Sequence, residues 1–351
     1  MGLWYCTREA VKAAAGLNGS DEHASIDRLL ESASREIERV LNRWFYPLTA
    51  IRYYPYPNTQ SPTIYRYWLD ADLLASTLVV SGGVTIVAAD YFEEPANYGP
   101  PYNRIEIDLS AAAAFRPGDT WQRAIEVTGR WGFCETSAAA GALAVADEYL
   151  PAAPNTTIAV TDSSLIGVGD LILIGTERMI VTAKALLDTT TDVDMVGDIT
   201  ADEAVVAITV DLGTKVKVNE VITIDAERML VEGIAGNILT VRRAYDGSVL
   251  ASHLDNASVY VPRTLTVERA AVGTTAAEHL IAALISKNVP PGLISELALA
   301  ETIYAMAQEK GHMTLAVGQG EAVREVSGKG IADVRKRAED AYKRNRASRA
   351  V

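Results

Sequence analysis

Residues 157–206 recur as residues 207–256, without a gap. At an offset of 50, Ile158 matches Ile208, Val160 matches Val210, Val168 matches Val218, Ile172 matches Ile222 and Ile174 matches Ile224. The triplet Glu177-Arg178-Met179 returns as Glu227-Arg228-Met229, with Val181 and Val231 two residues on. Gly197 and Ala201 return as Gly247 and Ala251. Each copy must solve the same burial problem, so the middle of the chain is constrained to two like modules side by side. In each, a strand leads to Gly169-Asp170 or Asn219-Glu220, then to an apolar strand, then to the Glu-Arg-Met strand. The second copy adds Leu239-Thr240-Val241-Arg242-Arg243-Ala244, a turn at Asp246-Gly247, and Ser252-His253. A partial echo lies 26 residues later, as Leu265-Thr266-Val267-Glu268-Arg269-Ala270, Gly273-Thr274 and His279. It marks the end of the insert and the start of the returning chain.

The N-terminal part has helical spacing. Thr7 caps a short helix ending at Gly16, and Ser20-Asp21-Glu22 opens a long one. Ile26, Leu29, Leu30, Ala33, Ile37, Val40, Leu41 and Trp44 form its buried stripe, and Pro47 stops it. From Ile51 to Phe133 the period changes to two. Ile105, Ile107 and Leu109 alternate with Glu106 and Asp108, and Ile125 and Val127 alternate with Glu126 and Thr128. Residues 137–150 are expected to form a short helix, and Pro151 and Pro154 a linker. Further helices are expected over 276–287, before Pro290-Pro291, and then with Leu293, Leu297, Ala300 and Tyr304 on one face, ending at Gly311. Residues 314–329 read as a glycine-rich mobile stretch. The last helix carries Ile331, Val334, Ala338, Ala341 and Tyr342 on one side and basic residues on the other.

An apolar fraction of 49% supports a large core and excludes a disordered chain. No apolar run approaches the roughly 20 residues of a membrane helix, and no secretory signal is expected at the N-terminus. Cys6 and Cys134 cannot build a disulfide framework and read as reduced, buried residues. Of the net charge of −13, residues 153–262 carry −9, whereas residues 329–351 carry +5. The body repels DNA, and the tail suits either a solvated helix face or an acidic docking partner.

Gly167-Val168-Gly169 resembles the start of a dinucleotide loop, but the third glycine is missing and strand residues follow. Asp188, Asp192, Asp194 and Asp198 miss the calcium-loop spacing. His253 and His279 occupy the same place in the echoed motif, without a ligand at metal spacing beside either, and read as repeated packing or turn-capping residues. The Glu-Arg-Met triplets read as cross-strand ion pairs. Neither a nucleophile elbow nor a His-Glu-x-x-His motif occurs. We therefore expect no enzyme, cofactor or metal.

Several motifs recur in a telling order. Arg43-Trp44-Phe45-Tyr46-Pro47 closes the long helix, followed by Arg52-Tyr53-Tyr54 and Leu69-Asp70-Ala71-Asp72-Leu73-Leu74. Next come Pro95-Ala96-Asn97 with Pro101-Tyr102, and Val127-Thr128-Gly129-Arg130-Trp131-Gly132. Val289-Pro290-Pro291 then starts a helix, and Ala341-Tyr342-Lys343-Arg344 lies in the last one. This order resembles the head–tail connector (adaptor, or head-completion) proteins of long-tailed bacteriophages. The string within the insert also resembles a small β-module of phage structural proteins. The departure is the insert itself, since simpler members run almost directly from the Trp-Gly strand to the Val-Pro helix.

The resemblance implies a structural virion protein at the head–tail neck, assembled in the host cytoplasm. It would form a homo-oligomeric ring, commonly of twelve copies, bound beneath the portal protein. DNA would pass through its lumen without sequence-specific binding, and a downstream neck or tail-completion protein would dock below. A membrane is not implied as a partner. Arg335, Lys336, Arg337, Lys343, Arg344 and Arg346 become candidates for the portal interface. Trp44, Phe45, Tyr46, Trp131 and Tyr304 become candidates for core or ring packing. The alternatives are another phage tail or baseplate component attaching through its β-repeats and, least favoured, a glycan-cleaving enzyme. The expected fold class is α+β. A discontinuous connector core domain, residues 1–152 and 263–351, would combine N-terminal and C-terminal helices with an antiparallel β-element. An all-β domain of two repeats, residues 153–262, would be inserted in it and project outward.

Overall fold

The computed structural model describes residues 3–57, 63–147, 155–194, 199–310, 316–317, 324–325 and 329–344. Thr7 does cap the first helix, α1 (Arg8–Ala15), its hydroxyl accepting from the Ala10 amide, and Gly16 ends it at a left-handed φ of 64°. The second helix, α2 (His23–Leu41), buries Ile26, Leu29, Leu30, Ala33, Ile37 and Leu41 as the spacing required. It stops at left-handed Asn42, before Trp44 and Pro47 are reached.

The chain then becomes β: β1 (Leu48–Tyr54), β2 (Arg66–Ser81), β3 (Val84–Ile86), β4 (Tyr91–Glu94), β5 (Tyr102–Ile107) and β6 (Ile125–Trp131). They form an antiparallel sheet of order β1-β6-β2-β5-β4, with β3 on β2. Alternation sends Tyr54, Tyr67, Val79, Ile105, Ile125, Val127 and Trp131 into one core.

Next come β7 (Ser137–Ala142), β8 (Thr157–Ala159), β9 (Leu171–Ile174), β10 (Glu177–Asp192), β11 (Ala207–Thr209), β12 (Val221–Ile224), β13 (Glu227–Ala235), β14 (Ile238–Arg242), β15 (Ser258–Glu268) and β16 (Leu284–Asn288). These make a ten-stranded antiparallel sheet. The chain ends with α3 (Gly292–Lys310), a short pair β17 (Ala316–Val317) and β18 (Arg324–Glu325), and α4 (Lys329–Tyr342).

The expected α+β fold with a helical core domain is therefore corrected. The molecule is mostly β, built on two antiparallel sheets, and its four described helices are a minor layer. Part of the reason is that two expected helices are not helical. The alanines of 137–150 favour helix locally, yet Ser137–Ala142 is strand β7. Within 276–287, residues 284–287 belong to β16, which pairs with β7. Long-range ladder pairing overrides a weak local propensity. The helices that do form share a small cluster of Ile37, Leu41, Phe45, Ile294, Leu297 and Ala338. The Pro151–Pro154 linker and most of 314–329 lie outside the described residues.

The ten-stranded sheet contains both repeats, and they are nested. One core gathers Ile158, Val160, Ile172, Ile174, Met179, Val181, Leu265, Val267 and Ile285. The other gathers Ile208, Val210, Ile222, Ile224, Met229, Val231, Leu239, Val241, Val259 and Val261. Strand β15 runs through both, giving Leu265 and Val267 to the first core and Val259 and Val261 to the second, and β10 pairs along its length while giving Met179 and Val181 to the first. Each sheet half curls back on itself: a bridge from Leu143 to Val160 in the first copy is repeated as Val193 to Val210 in the second. The echo at 265–279 is thus the closing half of the first copy, displaced by the second. The register shows where it was split. Ala235 pairs with Ile238 across a tight turn at Gly236-Asn237, and the equivalent Ala185 pairs with Thr264 across the whole second copy. Even the ladder irregularity between Val231 and Gly233 recurs between Val181 and Ala183.

Candidate functional site

The two Glu-Arg-Met triplets begin β10 and β13, and their glutamates are fully buried. Glu227 accepts from Arg243 Nε and Nη2 at 2.8 Å each, from the amides of Ala244 and Ala251, and from His253 Nε2 at 2.9 Å. Glu177 repeats this with Arg269 Nε and Nη2, the amides of Ala270 and Ala277, and His279 Nε2 at 2.9 Å. The ion pair foreseen for these glutamates exists, but its arginine comes from the motif 16 residues on in the second copy and 92 on in the first. Burial alone would raise these carboxyls. Hydrogen bonds from the arginine, two amides and the histidine overcome it and hold each at about 2. Every lone pair is engaged, so the carboxylates fasten the loops 243–253 and 269–279 and are not available to a substrate.

Each fastened loop makes the same tight turn, with left-handed residues at Ala244, Asp246 and Gly247 and again at Ala270, Val272 and Gly273. The turns dock on different ground. Asp246 accepts from the Gly19 amide and pairs with Lys12 at 2.8 Å, attaching the second copy to α1 and the loop after it. Gly273 packs on β1, where an added Cβ would stand 2.0 Å from the Thr49 carbonyl oxygen. The modules are therefore keyed into the N-terminal region rather than projecting free of it. Gly167-Val168-Gly169 belongs to the same contact. A Cβ at Gly169 would stand 2.2 Å from Trp4, one at Gly167 would stand 2.6 Å from Thr7, and Val168 bonds Arg8 and Glu9. These glycines make room for a helix, not for a phosphate.

The basic helix faces its own chain at several points. Arg335 pairs with Glu301 at 2.5 Å, Arg337 with Glu296 at 3.4 Å and Lys343 with Glu339 at 3.0 Å. Arg344 reaches buried Asp72 at 3.0 Å. Lys336 is exposed, and Arg346 lies outside the described residues. Among the packing candidates, Phe45 is buried against Tyr5, Phe133 and Tyr342. Trp131 is buried, its Nε1 donating to the Ala50 carbonyl, and Trp44 donates to the Trp131 carbonyl. Tyr46 and Tyr304 are half-buried. Asp188 accepts from the Thr190 amide, Asp198 lies outside the described residues, and no group able to hold a metal ion occurs among the described residues. Both cysteines are free and half-buried rather than buried.

Two features escaped sequence reading. One is the outer face of the six-stranded sheet, where Ile51, Tyr53, Trp68, Leu78 and Phe92 are 39–52% exposed. Their alternation with core residues was visible, but not which face would be left uncovered. The other is a notch of about 190 Å³ lined by Arg43, Arg52, Asp70, Asp72 and Arg344, with Trp44 on its wall. These residues were all quoted as motif members, yet the notch unites the end of α2, β1, β2 and the end of α4. No family model, curated protein or solved structure matches the chain.

Proposed function

We propose that this protein is a head-to-tail adaptor of a long-tailed bacteriophage. Copies of it form a ring beneath the portal, extend the DNA channel and offer a platform to the next neck component. It is a structural part of the virion neck, not an enzyme. The reading begins from the ordered motifs between Arg43 and Arg344. The observation that carries it is the outer face of the six-stranded sheet, where Ile51, Tyr53, Trp68, Leu78 and Phe92 stand exposed among Arg104, Glu106, Glu126 and Thr128, a mixed aromatic and polar surface of the kind that protein partners cover. A ring needs two different faces per subunit, and this face supplies one. The acidic body suits a lumen that lets DNA slide, because tight binding requires basic neutralisation of phosphates. With Arg335 and Arg337 paired to α3, the portal contact on α4 falls chiefly to Lys336 and the exposed rim of those pairs.

A side-chain-resolution reconstruction of the virion neck tests the reading directly. The double substitution Trp68→Asp with Phe92→Asp should leave a folded monomer that no longer forms rings or joins heads to tails. Unimpaired assembly with that variant, or the chain located outside the neck, would overturn the proposal.

A second reading, attachment through the β-modules, is favoured by one observation. Leu280, Ile281 and Leu284 stand 80%, 62% and 81% exposed on the first copy, where the second has Leu254, Asp255 and Ser258. Charged substitutions at these three positions that abolish attachment but leave ring formation intact would favour it.

A further inference from the structure

We propose that the notch between α2, β2 and α4 is a carboxylate-binding site. The proposal does not rest on the adaptor reading. Three guanidinium groups converge there, from Arg43, Arg52 and Arg344, against two carboxylates, Asp70 and Asp72. The lining therefore has a formal charge of +1. Asp72 is nearly buried and is shared by Arg43 at 2.9 Å and Arg344 at 3.0 Å. Arg344 also donates to the Leu69 carbonyl at 2.8 Å. Asp70, at the exposed rim, takes Arg52 Nη1 at 3.1 Å and the Tyr54 hydroxyl at 2.7 Å.

The donors are held in place by stacking. Arg52 lies over Trp44 at 5.1 Å and over Trp131 at 5.0 Å, and Arg43 lies over Phe133 at 4.8 Å. Stacking fixes the plane of a guanidinium and leaves it weakly hydrated, which suits the donors not taken by Asp70 and Asp72 to a planar oxyanion. The Nε of Arg52 is unused, and that of Arg43 has only the Asp72 carboxylate at 2.9 Å beside it. Both Nε atoms are buried, and the Arg43–Asp72 contact is not in hydrogen-bonding alignment. Buried donors of this kind call for an acceptor. Burial, with Arg344 beside it, also pushes the Arg43 guanidinium below its usual range, against the pull of Asp72, so an added negative charge would be favoured.

The notch selects the class of ligand. Its volume of about 190 Å³ admits a carboxylate-sized group and not a nucleotide. A monoanion balances the lining, whereas a dianion overshoots it and meets Asp70 at the rim. Planar bidentate pairing with arginine favours a carboxylate over a point charge. The group can come from a free small carboxylate or from an acidic side chain of a docking protein.

The full-length chain is titrated at low ionic strength with acetate, with inorganic phosphate and with a blocked hexaglutamate peptide. Tryptophan fluorescence reports on the stacked Trp44 and Trp131. Saturable changes with acetate or the peptide are expected, with phosphate at least tenfold weaker. Saturation by acetate alone identifies a free carboxylate, and tighter saturation by the peptide identifies a protein side chain. Arg52→Gln should weaken binding at least tenfold. Asp70→Asn, which adds to the positive charge and releases Arg52 Nη1 from a carboxylate, should strengthen it several-fold and serves if Arg52→Gln does not fold. The absence of saturation with both carboxylate probes, equal affinity in the variants, or tighter phosphate than carboxylate binding would each overturn the proposal.

Discussion

The two copies of the β-module match almost residue for residue, yet they are not equivalent parts. The second is continuous in sequence, and its hairpin between β13 and β14 closes through Gly236-Asn237. The first is split at the corresponding hairpin, and its halves meet only after the second copy has been threaded between them. The second docks its turn on the loop after α1, the first on β1. The difference teaches that a two-residue hairpin turn tolerates a whole domain. The ladder on either side of the turn, not the turn itself, carries the register.

Removing the second copy should have the largest effect. A chain in which residues 186–263 are replaced by Gly-Asn should retain a cooperatively folded first copy, seen as slow amide exchange in β9 and β16. Exchange at the unfolded rate in those strands would mean that the copies fold only together.

Next in size is the buried carboxylate. Glu177→Ala and Glu227→Ala should each cost about 3–5 kcal/mol, because an arginine, a histidine and two amides lose their partner. Denaturant midpoints measure this, and equal losses would sharpen the likeness of the copies. The same groups give a pH dependence. Their folded values of about 2 lie below the ordinary carboxyl value, so the stabilisation is complete above the unfolded value and is lost as pH falls through the folded one. Each glutamate should then contribute roughly 3 kcal/mol that disappears between about pH 4.5 and pH 2. A stability curve flat across that interval would contradict the geometry.

The docking turns should differ in their sensitivity. Gly273→Ala forces a Cβ to within 2.0 Å of the Thr49 carbonyl at a left-handed φ of 76°, and should cost about 3 kcal/mol. Gly247→Ala meets Asn18 Cβ at 3.1 Å and should cost about 1–2 kcal/mol. Thermal melting of both variants tests the order, and a reversed order would refute the separate docking grounds. The smallest effect separates the histidines. His253 Nδ1 also contacts Asp225 at 2.7 Å, where the first copy has Gly175 beside His279. Asp225→Gly should cost only about 0.5–1 kcal/mol, since Asp225 is largely exposed and screened.

Much of the local structure was legible because it is written in short-range spacing. Thr7 and Gly16 bracket α1, the Ile26-to-Leu41 stripe faces inward, and the matched apolar positions of the repeat lie in the two cores except for one pair, Val168 packing against Trp4 and Val11 while Val218 is exposed. Of the candidate site residues, Phe45 and Trp131 are buried as packing residues. The portal candidates Arg335, Arg337 and Arg344 instead engage their own chain, because α4 lies along α3 and near β2. Residues 137–142 were misread since alanine scores as helix wherever it stands, and only β16 on one side made it a strand.

The sequence by itself determined that there are two copies, which side chains each buries and where each chain turns, because burial and turn chemistry depend on neighbours a few residues away. The tertiary structure decided that the copies interlock, that Glu177 finds Arg269 and not its neighbour Arg178, and that three arginines share one notch. Those pairings join residues tens to hundreds of positions apart. Their selection rests on ladder register and the cost of unmet buried charge, which no local pattern records.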